Sequence, residues 1–253
     1  MEVAMLGSGS AGNATLLRGG GVTLLVDAGL SCRQMEARLA TLGVSPAEVD
    51  GILLTHEHTD HTSGLRVFCK KWPTRVFCNS QTASALPADI PRGCFHLFET
   101  GSRFALGGLM VRAFPVPHDA MDPVGFRIEE DGVAFGFLTD LGHANRLVLE
   151  AMRGIQGLLI EMNYDEELLQ QDTKRPWSVK QRIASRHGHL SNAEAARALA
   201  SLDAPELETL ILCHLSRDCN SPRLATEAAH AVKRRREVHC ATQAGGTPSV
   251  SVG

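Results

Sequence analysis

The sequence lacks three features that would mark a membrane or secreted protein. No apolar run approaches the roughly 18 residues that a membrane-spanning helix needs. The first residues, MEVAMLGSGSAGN, lack the basic and then apolar stretches of a secretory signal. The 7 cysteines form no CxxC pair, so they resemble neither a disulfide framework nor a thiolate zinc site. We therefore expect a cytoplasmic protein that does not bind membranes.

Positive charge is not in excess either. Lys and Arg number 25 against 28 Asp and Glu, so any affinity for nucleic acid must come from a local patch. The apolar content of 43% is enough for a real core. The 253 residues contain no repeat, low-complexity linker or break in composition. We therefore expect a single domain over residues 1–253.

The apolar pattern predicts strands with helices between them. Strands are expected at VAML near the start, in a hairpin around residues 19–21, through residues 103–139, and at GILLT, RVFCN, GLLIEM, TLILCHL and VHCAT. Helices are expected between GILLT and RVFCN and at residues 33–42, 144–152, 178–186, 191–202 and 222–235. This order is typical of an α/β fold.

Ligand-type side chains crowd into the segment GILLTHEHTDHTSG, residues 51–64. His56, His58, Asp60 and His61 follow a short buried strand directly, and imidazole and carboxylate are ligands that zinc prefers. The residue four positions after His56 is Asp60, so the HExxH pattern of a helical zinc-protease site is excluded. The alternative is an exposed loop that is merely rich in histidine. The density of donors at a strand end favours a metal site.

Two metals would need more donors from elsewhere in the chain. His118, Asp140 and His214 each end a predicted strand, which is where open α/β folds place their chemistry. These three side chains are therefore expected to join the cluster. The other histidines that we interpret as surface or structural residues are His96, His143, His230 and His239.

A second motif, RHGHLSNAEAARAL, spans residues 186–199. Ser191 and Glu194 predict a capping box and a helix that begins near Asn192, which places His189 just before the amino-terminal end of that helix. Glu161 ends a buried strand and needs a partner, for which His189 is the candidate. A carboxylate would fix the tautomer of the ring and suit it to act as a general acid near neutral pH. The alternative is a purely structural pair.

A basic segment leads into His189. Residues 174–186 contain Lys174, Arg175, Lys180 and Arg182 and no acidic residue, and we expect them to contact phosphate groups. Arg217 is a further candidate for such a contact. Trp177 is interpreted as packed beneath this segment rather than stacked on a base, and KRRR at 233–236 as a solvated helix end.

The glycine-rich loop at residues 7–13 lacks the Lys-Ser/Thr of a Walker loop. Its polar residues are expected to line the edge of the metal cleft: Ser8, Ser10 and Asn13.

With HEHTDH at 56–61 followed by His118, Asp140 and His214, the chain resembles the metallo-β-lactamase fold superfamily. The resemblance implies a four-layer αβ/βα sandwich with two divalent metal ions. Zinc is the first expectation, and manganese or iron would suit the same donors. The metal ligands that it implies are His56, His58 and His118 for one ion, Asp60, His61 and His214 for the other, and Asp140 between the two.

The chain is similar in particular to the YycJ/WalJ family of bacterial metallo-hydrolases. The matching blocks are LGSGSAGNATLL, VDAGLS, THEHTDH, PVPHDA, LTDLG, IEMNYD, KQRIASRHGHLSN and CHLSRDCNSP, while Met162 and the pair Asp218-Cys219 depart from the pattern. The transfer-RNA 3'-processing nucleases also have a glutamate-supported histidine, which corresponds to His189 with Glu161. The resemblance implies a binuclear phosphodiesterase, a 5'-to-3' exonuclease acting on DNA rather than RNA, with His189, Glu161 and Asp60 as catalytic residues.

Two other functions stay open at this point. A thioester or lactam hydrolase would use the same metals without needing the basic segment or the supported histidine. A non-catalytic subunit of a DNA repair or regulatory complex would keep the fold, and we would expect a metal ligand to be missing from it. The oligomeric state is not predicted.

Overall fold

The computed structural model of the chain describes residues 1–232, 237–243 and 246–253, so the interpretation of residues 233–236 as a helix end lies outside it. The strands are β1 (Glu2–Gly7), β2 (Ala14–Gly19), β3 (Val22–Val26), β4 (Gly51–Leu53), β5 (Arg75–Cys78), β6 (Phe95–Leu97), β7 (Arg103–Leu106), β8 (Leu109–Pro115), β9 (Val124–Glu130), β10 (Val133–Leu138), β11 (Gly157–Glu161), β12 (Thr209–Cys213), β13 (Glu237–Cys240) and β14 (Val250–Ser251).

The helices lie between these strands, as the apolar pattern predicts. They are α1 (Cys32–Thr41), α2 (Thr59–Thr62), α3 (Leu65–Lys71), α4 (Ser80–Ala85), α5 (Arg146–Ala151), α6 (Glu166–Gln171), α7 (Trp177–Ile183), α8 (Asn192–Ser201) and α9 (Pro222–Val232), with short 3₁₀ turns at Pro46–Glu48 and Arg92–Cys94. Helix α7 ends three residues before the predicted boundary at 186.

Within the described residues, the strands form two sheets of 7 strands each. The first has the order β14-β1-β2-β3-β4-β5-β6, and the second β13-β12-β11-β10-β9-β8-β7. Each sheet has an antiparallel half and a parallel half, the parallel halves being β3 to β6 and β10 to β13. Strand β8 runs in the same direction as β10, because each is antiparallel to β9. The carboxyl ends of these strands meet at one edge of their sheet.

Alternating side chains on the strands divide the core into three apolar layers. Leu159 and Ile211 point between the two sheets, where they join Val26, Leu53 and other residues of the first sheet. Their neighbours on β11 and β12 point outward and pack under α5, α8 and α9. The outer face of the first sheet is covered by α1, α3 and α4 in the same way. This period of two follows from the pleat of a strand that is buried on both faces.

The layers confirm the predicted four-layer αβ/βα sandwich. That the whole chain forms one domain stays a prediction, as does its cytoplasmic location. None of the described helices has the length and apolar character required to cross a bilayer.

Candidate metal centre

Three histidines form the first group of donors. His56 and His58 lie on the loop after β4, and His118 lies on the loop after β8. Each offers a ring nitrogen within 4.8 Å of the others, and His58 Nδ1 lies 3.4 Å from His118 Nε2. Hydrogen bonds at the far nitrogens fix two of the rings, since Nδ1 of His56 is 3.0 Å from Thr55 Oγ1 and Nδ1 of His118 is 3.1 Å from Gly188 O.

A second group lies beside the first. Asp60, His61, Asp140 and His214 place one donor atom each within 4.8 Å of one another. His61 Nε2 is 2.9 Å from Asp140 Oδ2, and His214 Nε2 is 3.4 Å from Asp60 Oδ2. Asp140 Oδ1 is also 3.8 Å from His118 Nε2, so this carboxylate lies between the two groups. The structure thus brings together all seven side chains that the sequence predicts as metal ligands.

The backbone around the second group adopts an uncommon conformation. Asp27, Asp140 and His214 have φ values of 64°, 51° and 54°. These values lie in the left-handed region of backbone conformation, which residues other than glycine rarely occupy. Each follows the end of a strand at the same edge. Such local strain persists only where surrounding interactions hold it, and it clusters at functional sites.

Asp27 is a functional residue that the sequence reasoning missed. Its Oδ2 is 2.7 Å from Nδ1 of His61, and its Oδ1 accepts a hydrogen bond from the Thr55 N–H at 2.9 Å. The carboxylate therefore holds the His61 ring with Nε2 directed at the cluster. The sequence contains a signal for this residue, because Asp27 ends the buried strand LLVD and lies in the block VDAGLS. That block contributes to the family resemblance, which assigns no role to Asp27.

His214 is held by two residues of other segments. Asn163 Nδ2 donates to the His214 carbonyl at 2.8 Å, and the His214 N–H donates to Ser8 Oγ at 2.6 Å. Asn163 directly follows Met162, one of the residues that depart from the YycJ/WalJ pattern. The Met162 side chain is fully buried in the layer under the helices. The departure therefore lies in the core and does not reach the cluster.

The cluster carries an excess of negative charge. Burial opposes the charged form of His61, but the carboxylates of Asp140 and Asp27 outweigh it and raise the pKa of His61 well above its usual range. For His214, burial is likewise outweighed, mainly by Asp140, and the pKa rises to about 10. Burial lowers the pKa of His56 instead, so that ring stays neutral, which is the form that binds a metal.

These residues fit a pair of divalent metal ions. His56 Nε2 and Asp140 Oδ2 are buried and make no hydrogen bond within the described residues, although His61 Nε2 lies 2.9 Å from Asp140 Oδ2. Buried polar atoms are otherwise almost always satisfied. A metal ion would satisfy both atoms and supply the positive charge that the surrounding carboxylates otherwise draw from protons on His61 and His214.

His189 and Glu161 form the predicted pair next to the cluster. His189 Nδ1 is 3.0 Å from Glu161 Oε2, and Glu161 is the last residue of β11. Glu161 Oε1 accepts from the N–H groups of Leu141 and Leu190 at 2.8 and 2.9 Å, and Oε2 also lies 3.2 Å from His214 Nδ1. Burial opposes protonation of His189, but Glu161 outweighs it and raises the pKa of the ring. The buried carboxylate thus fixes the position of the His189 ring and favours its protonated form.

The segment before α8 reaches the cluster because two glycines permit close approach. A Cβ on Gly142 would lie 2.2 Å from the Arg186 carbonyl oxygen, and one on Gly188 would lie 2.2 Å from the carbonyl of Arg182. Helix α8 begins at Asn192 as predicted, and Ser191 Oγ accepts from the Glu194 N–H at 3.1 Å. The predicted capping box is only half formed, because the Glu194 side chain makes no return bond to the Ser191 backbone among the described residues. The Ser191 hydroxyl donates its own hydrogen to Glu166.

The glycine-rich loop edges the cluster, although its residues differ in role. Asn13 Nδ2 is 3.1 Å from His61 Nε2, and Asn13 Oδ1 accepts from the Gly9 N–H at 2.8 Å. Ser8 is buried and holds the backbone of His214, whereas Ser10 is exposed to solvent. Asn13 and Ser8 therefore support the cluster, and Ser10 is the freest of the three to meet a ligand.

Most of the predicted phosphate-binding cations are paired with carboxylates from other segments. Lys174 and Arg175 both reach Asp218, and Arg175 also lies 2.8 Å from Asp172. Lys180 donates to the Gln170 carbonyl at 2.9 Å, Arg182 pairs with Asp119 beside His118, and Arg217 is exposed beyond His214.

The interpretation of Trp177 as a packed residue is wrong. Its side chain is 67% exposed at the first position of α7, a helix in which no residue is buried. Helix α7 contacts a small apolar cluster of Tyr164, Leu169 and Cys219 through Ile183, and the indole ring of Trp177 is not part of that contact.

Comparison with known proteins agrees with this geometry. The model of the Beta-lactamase superfamily domain matches residues 23–215. The exodeoxyribonuclease WalJ of Streptococcus pneumoniae is 35% identical over 229 residues, which cover 88% of this chain and 85% of the relative. The exodeoxyribonuclease YycJ of Bacillus anthracis is 34% identical over 228 residues, 89% of this chain and 86% of that one. The crystal structure of the metallo-beta-lactamase fold protein YhfI from Bacillus subtilis superposes with a TM-score of 0.74 at 16% identity, covering 98% and 99% of the two chains.

Proposed function

This chain belongs to the beta-lactamase superfamily of metal-dependent hydrolases, and from that premise we propose that it is a 5'-to-3' exonuclease that hydrolyses phosphodiester bonds in DNA. The observation that carries the proposal is the His189–Glu161 pair, at 3.0 Å, beside a complete set of metal donors. A leaving alkoxide needs a proton, and a protonated imidazole next to the cluster provides one. Two relatives of similar length are named exodeoxyribonucleases, which favours DNA over RNA.

In this proposal, His56, His58 and His118 would hold one metal ion and Asp60, His61 and His214 the other, while Asp140 lies close enough to both groups to serve either ion. When bound, the two ions lower the pKa of a water molecule and neutralise charge on the scissile phosphate. Zinc suits the mixture of imidazole and carboxylate, and manganese or iron would bind the same set.

The catalytic work of the chain falls to three residues. Asp60 Oδ2 accepts from its neighbours at the edge of the second group, and we assign it to orient the attacking water as well as to bind metal. His189 uses Nδ1 to bond Glu161, which leaves Nε2 to give its proton to the leaving oxygen. Glu161 keeps that ring charged until the transfer. The pair then recovers a proton from solvent before the next turnover.

The basic segment is the proposed contact for the DNA backbone. Lys174, Arg175 and Arg182 reach phosphates by exchanging the carboxylates that now pair with them. The exposed indole of Trp177 offers a face on which a base can stack, worth about 1–3 kcal/mol. These contacts would lie along one side of the His189 loop, because α7 leads directly into it.

The proposal is tested by digestion after each metal is restored to chelated protein. The substrates are DNA and RNA oligonucleotides labelled at either end, together with bis(p-nitrophenyl) phosphate, a thioester and nitrocefin. We expect release of label from the 5' end of DNA, with the thioester and nitrocefin untouched. Preferred hydrolysis of the thioester or of nitrocefin would contradict the proposal and favour the alternative hydrolase. A fully metal-loaded protein that turns over no substrate would favour the non-catalytic subunit.

A further inference from the structure

A cavity lies beside the segment that follows His214. Its volume is about 190 Å³, and Ser8, Ser216, Arg217 and Ser221 supply polar groups to its wall. Ser216 and Arg217 follow His214 by two and three residues, and Ser8 Oγ accepts from the His214 N–H. The cavity is therefore a direct neighbour of the candidate metal centre, and none of the proposed catalytic steps uses it.

Three hydroxyl groups in this wall have a hydrogen left to donate. Ser8 Oγ accepts from His214 N at 2.6 Å, Ser216 Oγ from Cys219 N at 3.2 Å, and Ser221 Oγ from Leu224 N at 3.3 Å. A hydroxyl that accepts from a backbone N–H still carries its own O–H donor. The amide groups of the wall are already engaged, since Asn220 Nδ2 donates to Met162 O and Gln243 Nε2 to Gly12 O.

The charge of the wall has one sign. Arg217 is exposed and makes no ion pair within the described residues, unlike Lys174, Arg175 and Arg182. No Asp or Glu is among the described residues that line the cavity. A guanidinium and three hydroxyl donors without a carboxylate form a site for an anion, and phosphate is the anion that accepts several such bonds at once.

The size of the cavity suits a single phosphate group. A volume of about 190 Å³ equals roughly six water molecules at about 30 Å³ each. That is room for one phosphate group with part of its hydration shell. In an exonuclease the end of the strand lies next to the metal centre, so the terminal phosphate is the group that this neighbouring cavity would receive.

We infer that this cavity binds the terminal phosphate of the DNA substrate, an inference that rests on the proposed nuclease function. The terminal group anchors the strand beside His214 while a neighbouring phosphodiester reaches the metal centre. The enzyme then recognises the end of a strand by its phosphate, and internal phosphodiesters do not fill the subsite. The same donors would accept a 5'-phosphate or a 3'-phosphate, and the experiment separates the two ends.

Binding is measured first, without catalysis, on protein held in a chelator. Single-stranded oligonucleotides with an internal fluorophore carry a 5'-phosphate, a 3'-phosphate or neither, and anisotropy gives each Kd. We expect the 5'-phosphate to lower Kd by about tenfold, the size of one charge-assisted contact. Arg217→Gln should remove this difference between substrates, and Arg217→Lys should keep part of it.

The matched control is Arg223→Gln, which removes the same charge from the adjacent helix. Arg223 bonds both oxygens of Glu227 at 2.8 Å and does not line the cavity, so the ratio of Kd values should stay as in the wild type. Equal Kd values for all three oligonucleotides, or a ratio that survives Arg217→Gln, would overturn the inference. A gain from the 3'-phosphate alone would overturn the 5' assignment.

Cleavage by the metal-loaded wild type separates this inference from the proposed function. If DNA is cleaved while terminal phosphates have no effect on Kd, only the subsite is lost. If DNA is not cleaved at all, the proposed function falls, and the assignment of the cavity to DNA falls with it.

Discussion

The cluster of metal donors and the basic segment at residues 174–186 are neighbours built in opposite ways. In the cluster, buried rings are fixed by a second bond at the atom that faces away, as with His61 and Asp27 at 2.7 Å or His118 and Gly188 at 3.1 Å. In the basic segment, exposed Lys and Arg side chains form ion pairs with carboxylates that belong to other loops. The first arrangement holds one geometry ready before any ligand arrives, and the second exchanges partners at little cost. Substitutions in the two regions should therefore differ greatly in effect.

The largest effect is expected for His189→Ala. Loss of the proposed proton donor should lower kcat on DNA by about 10²- to 10⁴-fold, while the metal content should stay unchanged because His189 is not one of the seven proposed metal ligands. Steady-state rates and metal analysis check this. The matched control is His187→Ala, two residues earlier on the same loop and exposed, which should retain activity. A His189→Ala enzyme at full rate would refute the assignment of the acid.

A smaller effect, on metal binding, is expected for Asp27→Asn. Asparagine tolerates the positive φ at this position but loses the charge that holds His61, so metal affinity should fall by about 10- to 100-fold. Competition with a chromophoric chelator measures it. Asp131→Asn is the control, because Asp131 shares a positive φ but lies exposed in the hairpin between β9 and β10. Unchanged affinity in Asp27→Asn would show that the carboxylate does not support the ligand.

Gly142→Ala should weaken the link between the two regions. The added Cβ would lie 2.2 Å from the Arg186 carbonyl oxygen, so the loop that carries His189 must shift. Because a displacement of about 1 Å can cost up to about 100-fold, we expect kcat to fall by about tenfold or more with metal content kept. Gly93→Ala meets nothing within 4 Å and serves as the control. Equal loss of metal and activity would place the damage in the cluster instead.

The smallest effect is expected in the basic segment itself. Asp218→Asn releases Lys174 and leaves Arg175 paired with Asp172 alone. Because exposed ion pairs contribute little, DNA should bind up to about fivefold more tightly at low salt. Anisotropy at several salt concentrations measures the gain, which should shrink as salt rises. Asp203→Asn removes the same charge from an exposed pair with Arg153 at the amino-terminal end of β12, and it should leave DNA binding unchanged.

The sequence predicts the donors better than their supports, for a physical reason. HEHTDH predicts a metal site because four donors lie in six residues. His118, Asp140 and His214 are predicted as further donors because each follows a predicted strand. The role of Asp27 depends on β3 lying next to β4 in parallel, which strand patterns alone do not state. Adjacency in space, rather than residue type, is the missing information.

The basic segment was the harder part to predict. Its lack of acidic residues is visible in the sequence, yet Asp119 and Asp218 pair with it from 40 or more positions away. The prediction for Trp177 is wrong because a large aromatic residue is usually buried, whereas no residue of α7 is buried and only Ile183 packs against an apolar cluster. Local composition could not report what the rest of the fold brings near.

The seven donors come from both sheets, since His56 to His61 follow a strand of the first and the others follow strands of the second. Metal ions bound there would link the two sheets of the sandwich. Metal binding and unfolding are then coupled: for each ion, a tenfold rise in free metal above its Kd would add about 1.4 kcal/mol to the stability of the folded chain.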